Sequence, residues 1–223
     1  MSSRRNYYAG VSLIMLLVPL SRKDQIGIPP LTVLVILVCI ALYLLAADEK
    51  TKLLLAYYPD SLNLLKMISS VFVHADIFHL LGNLFFFYCF ARAVEIEITS
   101  RSYILVFLAV ALLTNIVYSL ASKTPLPTLG MSGVVWGFMG VFLMRYPKEN
   151  INCFVWYLWV IKVVEVPSYI FVLAFLAFDL IGFREQSAGN VNHIAHISGF
   201  FLGVFIKLLA WDYMRLKRKL GKR

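Results

Sequence analysis

The chain has 223 residues, of which 61% are hydrophobic and 15% charged, and a formal net charge of +9. Soluble domains carry about 25% charged residues. That deficit, a mean hydropathy of +0.79 and repeated apolar runs identify an integral membrane protein. The positive balance does not point to nucleic acid. Its lysines and arginines cluster beside apolar runs, in Arg4, Arg5, Arg22 and Lys23 and in the C-terminal "RLKRKLGKR", where they mark the cytoplasmic side of a bilayer.

The run Val11–Leu20 is apolar and has basic flanks, but it lacks a small-residue cleavage site and "SRKDQ" follows it. It reads as an interfacial or cytoplasm-side segment rather than a signal peptide. Six spans follow, at about 31–47, 78–94, 103–121, 132–146, 166–183 and 192–211. The first is introduced by Pro29-Pro30 and the fourth is closed by Pro147. The piece 150–165, "NINCFVWYLWVIKVVE", is rich in β-branched and aromatic residues. It suits either a strand pair or an interfacial lead into the fifth span. Cys39, Cys89 and Cys153 have no metal or disulfide spacing. Neither a metal nor a cofactor is expected. The expected fold is an all-α bundle of six transmembrane helices, with a segment 1–30 before it, a membrane domain 31–211 and a basic cytoplasmic tail 212–223.

The positive-inside rule orients the bundle. With the N-terminus inside, the inner segments hold 16 of the 21 lysines and arginines, and the outer segments hold only Lys50, Lys52, Lys66, Lys123 and Arg184. Both termini are then cytoplasmic, and the fourth span runs inward with Ser132 at its outer end. That span is short. About 15 residues at ~1.5 Å rise reach roughly 22 Å, against a hydrocarbon core of about 30 Å. The two prolines of "SKTPLPTLGM" keep the preceding segment out of a helix. Irregular backbone at membrane depth is tolerated only inside protein or around a water-filled cavity, which points to a wet pocket at Ser132.

In this topology His79, Asn83, Ser132 and His196 come from three spans to one depth. Polar groups there face a cavity or one another. His79 and Asn83 are four apart and share a helix face. Ser132 heads a helix, where free N–H groups and the dipole favour negative charge. Gly130 and Gly133 permit a tight turn and close backbone approach. Gly133, Gly137 and Gly140, with Gly199 and Gly203, form small-residue stripes that bring the fourth and sixth helices together. The set reads as acyl transfer: Ser132 as nucleophile, His196 as general base, and His79, Asn83 and the Ser132 amide as oxyanion donors. His193 has no such stripe and is expected to be wet or to line a pathway. His74 and His79, five apart, diverge on a helix and do not suit zinc. Asp179 has two readings, a carboxylate at an outer helix end or a third catalytic member.

The residues His79-x-x-x-Asn83, Gly130-x-Ser132-Gly133 and Ala195-His196-x-x-Gly199-x-x-x-Gly203 resemble the rhomboid intramembrane serine proteases, in the family's order and spacing from about Ile28 to Trp211. The resemblance implies a Ser132–His196 dyad without a triad acid, and cleavage of single-span or other membrane-protein substrates in or near their transmembrane segments. It also implies that Trp136 packs on His196. The site would open to the outer side of the cell membrane. Two positions depart from the family's pattern: Leu65-Lys66 stands where a Trp-Arg pair is usual, and Ile194 where glycine is frequent. The competing readings are a catalytically inactive rhomboid-like protein that binds membrane clients, and a small transporter with a histidine relay.

Overall fold

The computed structural model describes residues 14–18, 28–122, 126–157, 160–184 and 191–220. The segments around Arg4, Arg5, Arg22, Lys23 and Lys123 and the last three residues lie outside the described residues. A helix occupies each of the six expected segments: α1 (Pro30–Leu45), α4 (Ile77–Glu95), α5 (Ser100–Ala121), α6 (Ser132–Arg145), α7 (Ser168–Arg184) and α8 (His193–Leu220). Of these, α4, α5 and α8 are long and apolar enough to cross a membrane by length and composition, while α1 and α6 are apolar but shorter. The last helix runs beyond 211 to Leu220. Two short helices, α2 (Glu49–Leu55) and α3 (Leu64–Phe72), lie between α1 and α4. Each has a polar N-cap, with Asp48 accepting from the Thr51 amide and Asn63 from the Lys66 amide.

The all-α expectation is corrected. Strands β1 (Ile14–Val18), β2 (Asn150–Tyr157) and β3 (Val160–Pro167) form an antiparallel sheet in the order β1-β2-β3. Of the two readings of 150–165, the strand pair is the one found. β2 and β3 pair from Asn150↔Pro167 to Tyr157↔Val160, because their β-branched and aromatic residues suit a pleated surface better than a helix. Part of the Val11–Leu20 run joins as β1, with Leu17 opposite Cys153. That pairing is non-local and invisible in a single segment. Ile151 and Cys153 are buried, and all three cysteines are free thiols.

At the end of the bundle opposite Ser132, polar groups are matched across helices. Glu95, near the end of α4, accepts from the Leu31 and Thr32 amides at 2.8 Å each and from Thr32 Oγ1 at 2.7 Å. A carboxyl group 64 residues away in sequence thus satisfies the first free N–H groups of α1. Arg218 Nη1 donates to the Glu95 carbonyl at 2.8 Å, and Glu97 joins Arg145, Tyr146 and Arg215.

Replacing Glu95 with Ala leaves the Leu31 and Thr32 amides short of an acceptor, while Thr32 Oγ1 keeps Tyr103 OH at 2.9 Å. The expected cost is about 2–4 kcal/mol, read as a drop of roughly 5–15 °C in the thermal midpoint in detergent. A midpoint within about 1 °C of wild type would remove Glu95 from the forces that seat α1.

Candidate active site

Helix α6 begins at Ser132, directly after an irregular segment whose course is held from both sides. The Tyr57 and Thr128 backbones exchange two hydrogen bonds of 2.9 and 2.8 Å, and the Gly130 amide donates to the Ser70 carbonyl at 2.9 Å. Gly130 has φ +103°, a left-handed conformation that favours glycine. A Cβ on Gly130 would lie 2.6 Å from the His79 ring and 3.5 Å from Asn83 Nδ2. The glycine therefore lets the turn before Ser132 sit directly on the His79–Asn83 face of α4. Asp76 caps α4 by accepting from the Phe78 and His79 amides at 2.9 Å each. The His79 amide foremost, with burial opposing, holds the Asp76 carboxyl below its ordinary pKa.

The first oxyanion candidates are thus at the loop. Asn83 is buried, and its Nδ2 has no hydrogen-bond partner among the described residues. His79 and Ser132 are half-buried.

The general-base candidate arrives on α8. Asn192 caps that helix by accepting from the Ala195 amide at 3.0 Å, and its Nδ2 bonds Thr128 Oγ1 at 3.2 Å, four residues before Ser132. A Cβ on Gly133 would stand 3.3 Å from the Ala195 carbonyl, so the residue after Ser132 packs on the residue before His196. The Trp136 and His196 rings stack, with centroids 5.7 Å apart and planes at 29°.

What brings α6 and α8 so close is the absence of side chains. A Cβ on Gly199 would stand 2.2 Å from the Gly133 carbonyl oxygen, one on Gly203 1.9 Å from that of Gly137, and one on Gly140 2.3 Å from that of Phe200. Real Cβ atoms do not approach so near, so these glycines put backbone against backbone.

A Rhomboid domain family model matches residues 61–213, a span that holds every residue of this constellation. The chain belongs to the rhomboid family. Among its relatives, Rhomboid protease GlpG of Yersinia enterocolitica is 26% identical over 199 residues, covering 85% of this chain and 64% of the relative. Rhomboid protease GlpG of Haemophilus influenzae is 25% identical over 194 residues, covering 84% and 91%. Rhomboid-like protein 11, chloroplastic, of Arabidopsis thaliana is 28% identical over 158 residues, covering 66% and 51%. The chain thus spans a little under two thirds of the Yersinia protein and about half of the Arabidopsis one.

Within this rhomboid, Leu65-Lys66 lie in the first turn of α3, and the segment between α1 and α4 is held by other contacts. Leu65 is exposed, and the Lys66 ammonium lies 5.7 Å from the centre of the Tyr58 ring. The anchoring comes from backbone: Asn115 Nδ2 donates to the Met67 carbonyl at 2.9 Å, Ser70 receives Gly130, and Tyr57 pairs with Thr128. Lys52 Nζ closes the loop onto the Ala75 carbonyl at 2.6 Å.

Two site neighbours lie outside the motifs. His74 is buried with its ring edge-on to His79 at 5.2 Å, and neither ring nitrogen has a partner of hydrogen-bonding geometry among the described residues. Burial first, then the His79 ring, push its pKa down to about 4, against smaller opposing pulls from the Phe72 backbone and Asp76. It is therefore neutral at pH 7 and packs against the His79 ring. Asp179 bonds both His193 and His196, so His193, expected to be wet or to line a pathway, has a side-chain partner. These three residues also place possible metal-ligand atoms within 4.8 Å of one another, where no metal site was expected. Of the two sequence readings of Asp179, the helix-end carboxylate and the third catalytic member, spacing alone could not choose, whereas the His74 ring's place depends on the turn between α3 and α4.

Adding a methyl group at Gly203 must part α6 from α8 by more than an ångström. Overpacking of this kind costs roughly 1–3 kcal/mol, so Gly203→Ala lowers the thermal midpoint. Gly82→Ala is the control, since a Cβ there meets nothing within 4 Å and alanine is favoured in a helix by about 1 kcal/mol. Equal midpoints for the two variants would contradict the backbone contact.

Proposed function

We propose that this rhomboid is an intramembrane serine endopeptidase that cleaves peptide bonds in or near the transmembrane segments of other membrane proteins. The observation that carries this reading is the convergence at Gly130. The His79 ring and the partnerless Asn83 amide abut the turn two residues before Ser132, while the other side of α6 brings Trp136 onto His196. The names of the Yersinia and Haemophilus relatives support it at the level of the family.

In this mechanism Ser132 Oγ attacks the scissile carbonyl carbon as His196 Nε2 takes its proton. The carbonyl oxygen becomes an oxyanion and is met by the Asn83 Nδ2 donor, the His79 ring and the free amides that open α6. The protonated His196 returns its proton to the departing amine as the C–N bond breaks. Water then hydrolyses the acyl-enzyme by the same route. A pocket inside an apolar bundle strengthens each of these interactions, because little competing solvent surrounds them.

The experiment is cleavage of a panel of single-span reporter proteins by purified wild type and by Ser132→Ala in detergent. Loss of a nucleophile costs on the order of 10⁶ in kcat in soluble serine proteases, so the variant is expected to be inert while remaining folded. Equal cleavage by both proteins would end the serine-protease reading. Asn83→Ala is expected to lower kcat by ~10²–10³ and to keep fluorophosphonate labelling of Ser132. Unchanged turnover would make Asn83 structural.

The six helices are further proposed to be six crossings, with both termini cytoplasmic and Ser132 near the outer face of the cell membrane. A cysteine at Asp60, placed in a background without native cysteines, is expected to react with an impermeant thiol reagent on intact cells. One at Lys217 is expected to react only after permeabilisation. The reverse pattern would invert the orientation and with it the class of accessible substrate.

A further inference from the structure

We infer that Asp179 is a positioning residue that holds the proton of His196 on Nδ1, so that this chain operates a Ser–His–Asp arrangement where its family resemblance implies a dyad. The inference rests on the protease reading above and adds a third member to it.

The contact is two-sided. His196 Nδ1 lies 3.0 Å from Asp179 Oδ1 and 2.9 Å from Oδ2. An ionised carboxylate only accepts hydrogen bonds, so the hydrogen must sit on Nδ1. In a neutral ring that assignment leaves Nε2 with its lone pair, and the two ring nitrogens point away from each other. The proton-accepting nitrogen therefore faces away from α7. The stacked Trp136 indole holds the plane of the ring, and Asp179 sets its rotation and tautomer. Together they remove the two freedoms that would otherwise let the base turn from the nucleophile.

The pairing is built by both helices rather than by one surface side chain. Asp179 and Gly182 are three apart on α7, and His193 and His196 are three apart on α8. A Cβ on Gly182 would stand 2.6 Å from the His193 ring, so Gly182 makes room for that ring. His193 Nδ1 bonds Asp179 Oδ1. One carboxylate thus receives two imidazole N–H groups. The Asp179 side chain keeps only 9% of its surface exposed, and a charge so enclosed needs partners. During attack, the Ser132 Oγ proton moves to Nε2 and the ring becomes an imidazolium. Asp179 stays ionised, faces the new positive charge, and takes no proton itself. Nε2 then releases its proton to the leaving amine, and the ring returns to its starting tautomer.

The test uses the purified full chain in detergent with EDTA present, so that a metal bridging the three side chains does not contribute. Histidine is labelled with ¹⁵N, and the His196 signals are assigned by loss in His196→Gln. The wild type is expected to show the His196 proton on Nδ1. In Asp179→Asn the amide NH₂ donates to Nδ1, and the proton is expected on Nε2. Second-order labelling of Ser132 by a fluorophosphonate is expected to fall by ~10²–10⁴ in Asp179→Asn, as for the same change in soluble triads. Asp179→Glu is expected to recover at least about a tenth of the wild-type rate. A wild-type ring protonated on Nε2 overturns the inference without need of any variant. So does an Asp179→Asn protein that labels within about threefold of wild type. A wild type that does not label at Ser132 would instead sink the protease reading, and its nitrogen spectrum still decides whether Asp179 sets the His196 proton.

Discussion

The backbone contact between α6 and α8 is the constraint on which the site depends. Carbonyl oxygens of Gly133 and Gly137 occupy the space where Gly199 and Gly203 would carry a Cβ, and the Phe200 carbonyl does the same at Gly140. In a bilayer, lipid tails are as apolar as leucine, so helices gain little by hiding apolar side chains from them. Association depends on close van der Waals packing, which small residues allow. The same contact sets the depth of Ala195 against Gly133 and the stacking of His196 on Trp136. The proposed Ser132–His196 pair, split between two helices, needs such a rigid seam, because chemistry tolerates little misplacement.

Polar groups gather at both ends of the bundle. Away from Ser132, Glu95 and Glu97 are spent on structure: one caps the distant start of α1 and the other gathers Arg145, Tyr146 and Arg215. Buried groups without a hydrogen-bond partner among the described residues occur on both sides: Asn83 Nδ2 and both His74 nitrogens towards Ser132, and Arg145 Nε and Trp211 Nε1 away from it, although buried polar groups are ordinarily paired. An unmatched donor is costly to stability and useful where charge develops in a reaction, and of these donors Asn83 Nδ2 is the one beside the turn before Ser132.

The segment between α1 and α4 reaches the Ser132 loop through backbone groups of Tyr57 and Ser70, and α5 through the Met67 carbonyl, rather than through a Trp-Arg pair. The Tyr57–Thr128 and Gly130–Ser70 contacts are backbone to backbone and so do not depend on side-chain identity.

The helical segments, the Ser132 turn, the His79–Asn83 face and the glycine stripes are all legible in the sequence, because each is a local pattern. Apolar length marks a helix, a spacing of four marks a shared face, and glycine marks a place where backbone comes close. The three-stranded sheet was only half legible. The β-branched run 150–165 allowed a hairpin, but the pairing of 14–18 with β2 joins segments more than a hundred residues apart. Short helices α2 and α3 were missed because each is brief and seated by tertiary bonds. Asp179 was ambiguous for a similar reason. A carboxylate near a helix end is ordinarily a solvated charge, and only the approach of α7 to α8, with Gly182 making room for the His193 ring, turns it toward His193 and His196. Local pattern determined which residues had chemistry to offer. The tertiary structure decided which of them met, because hydrogen bonds act over about 3 Å and only the packing of whole helices sets distances on that scale.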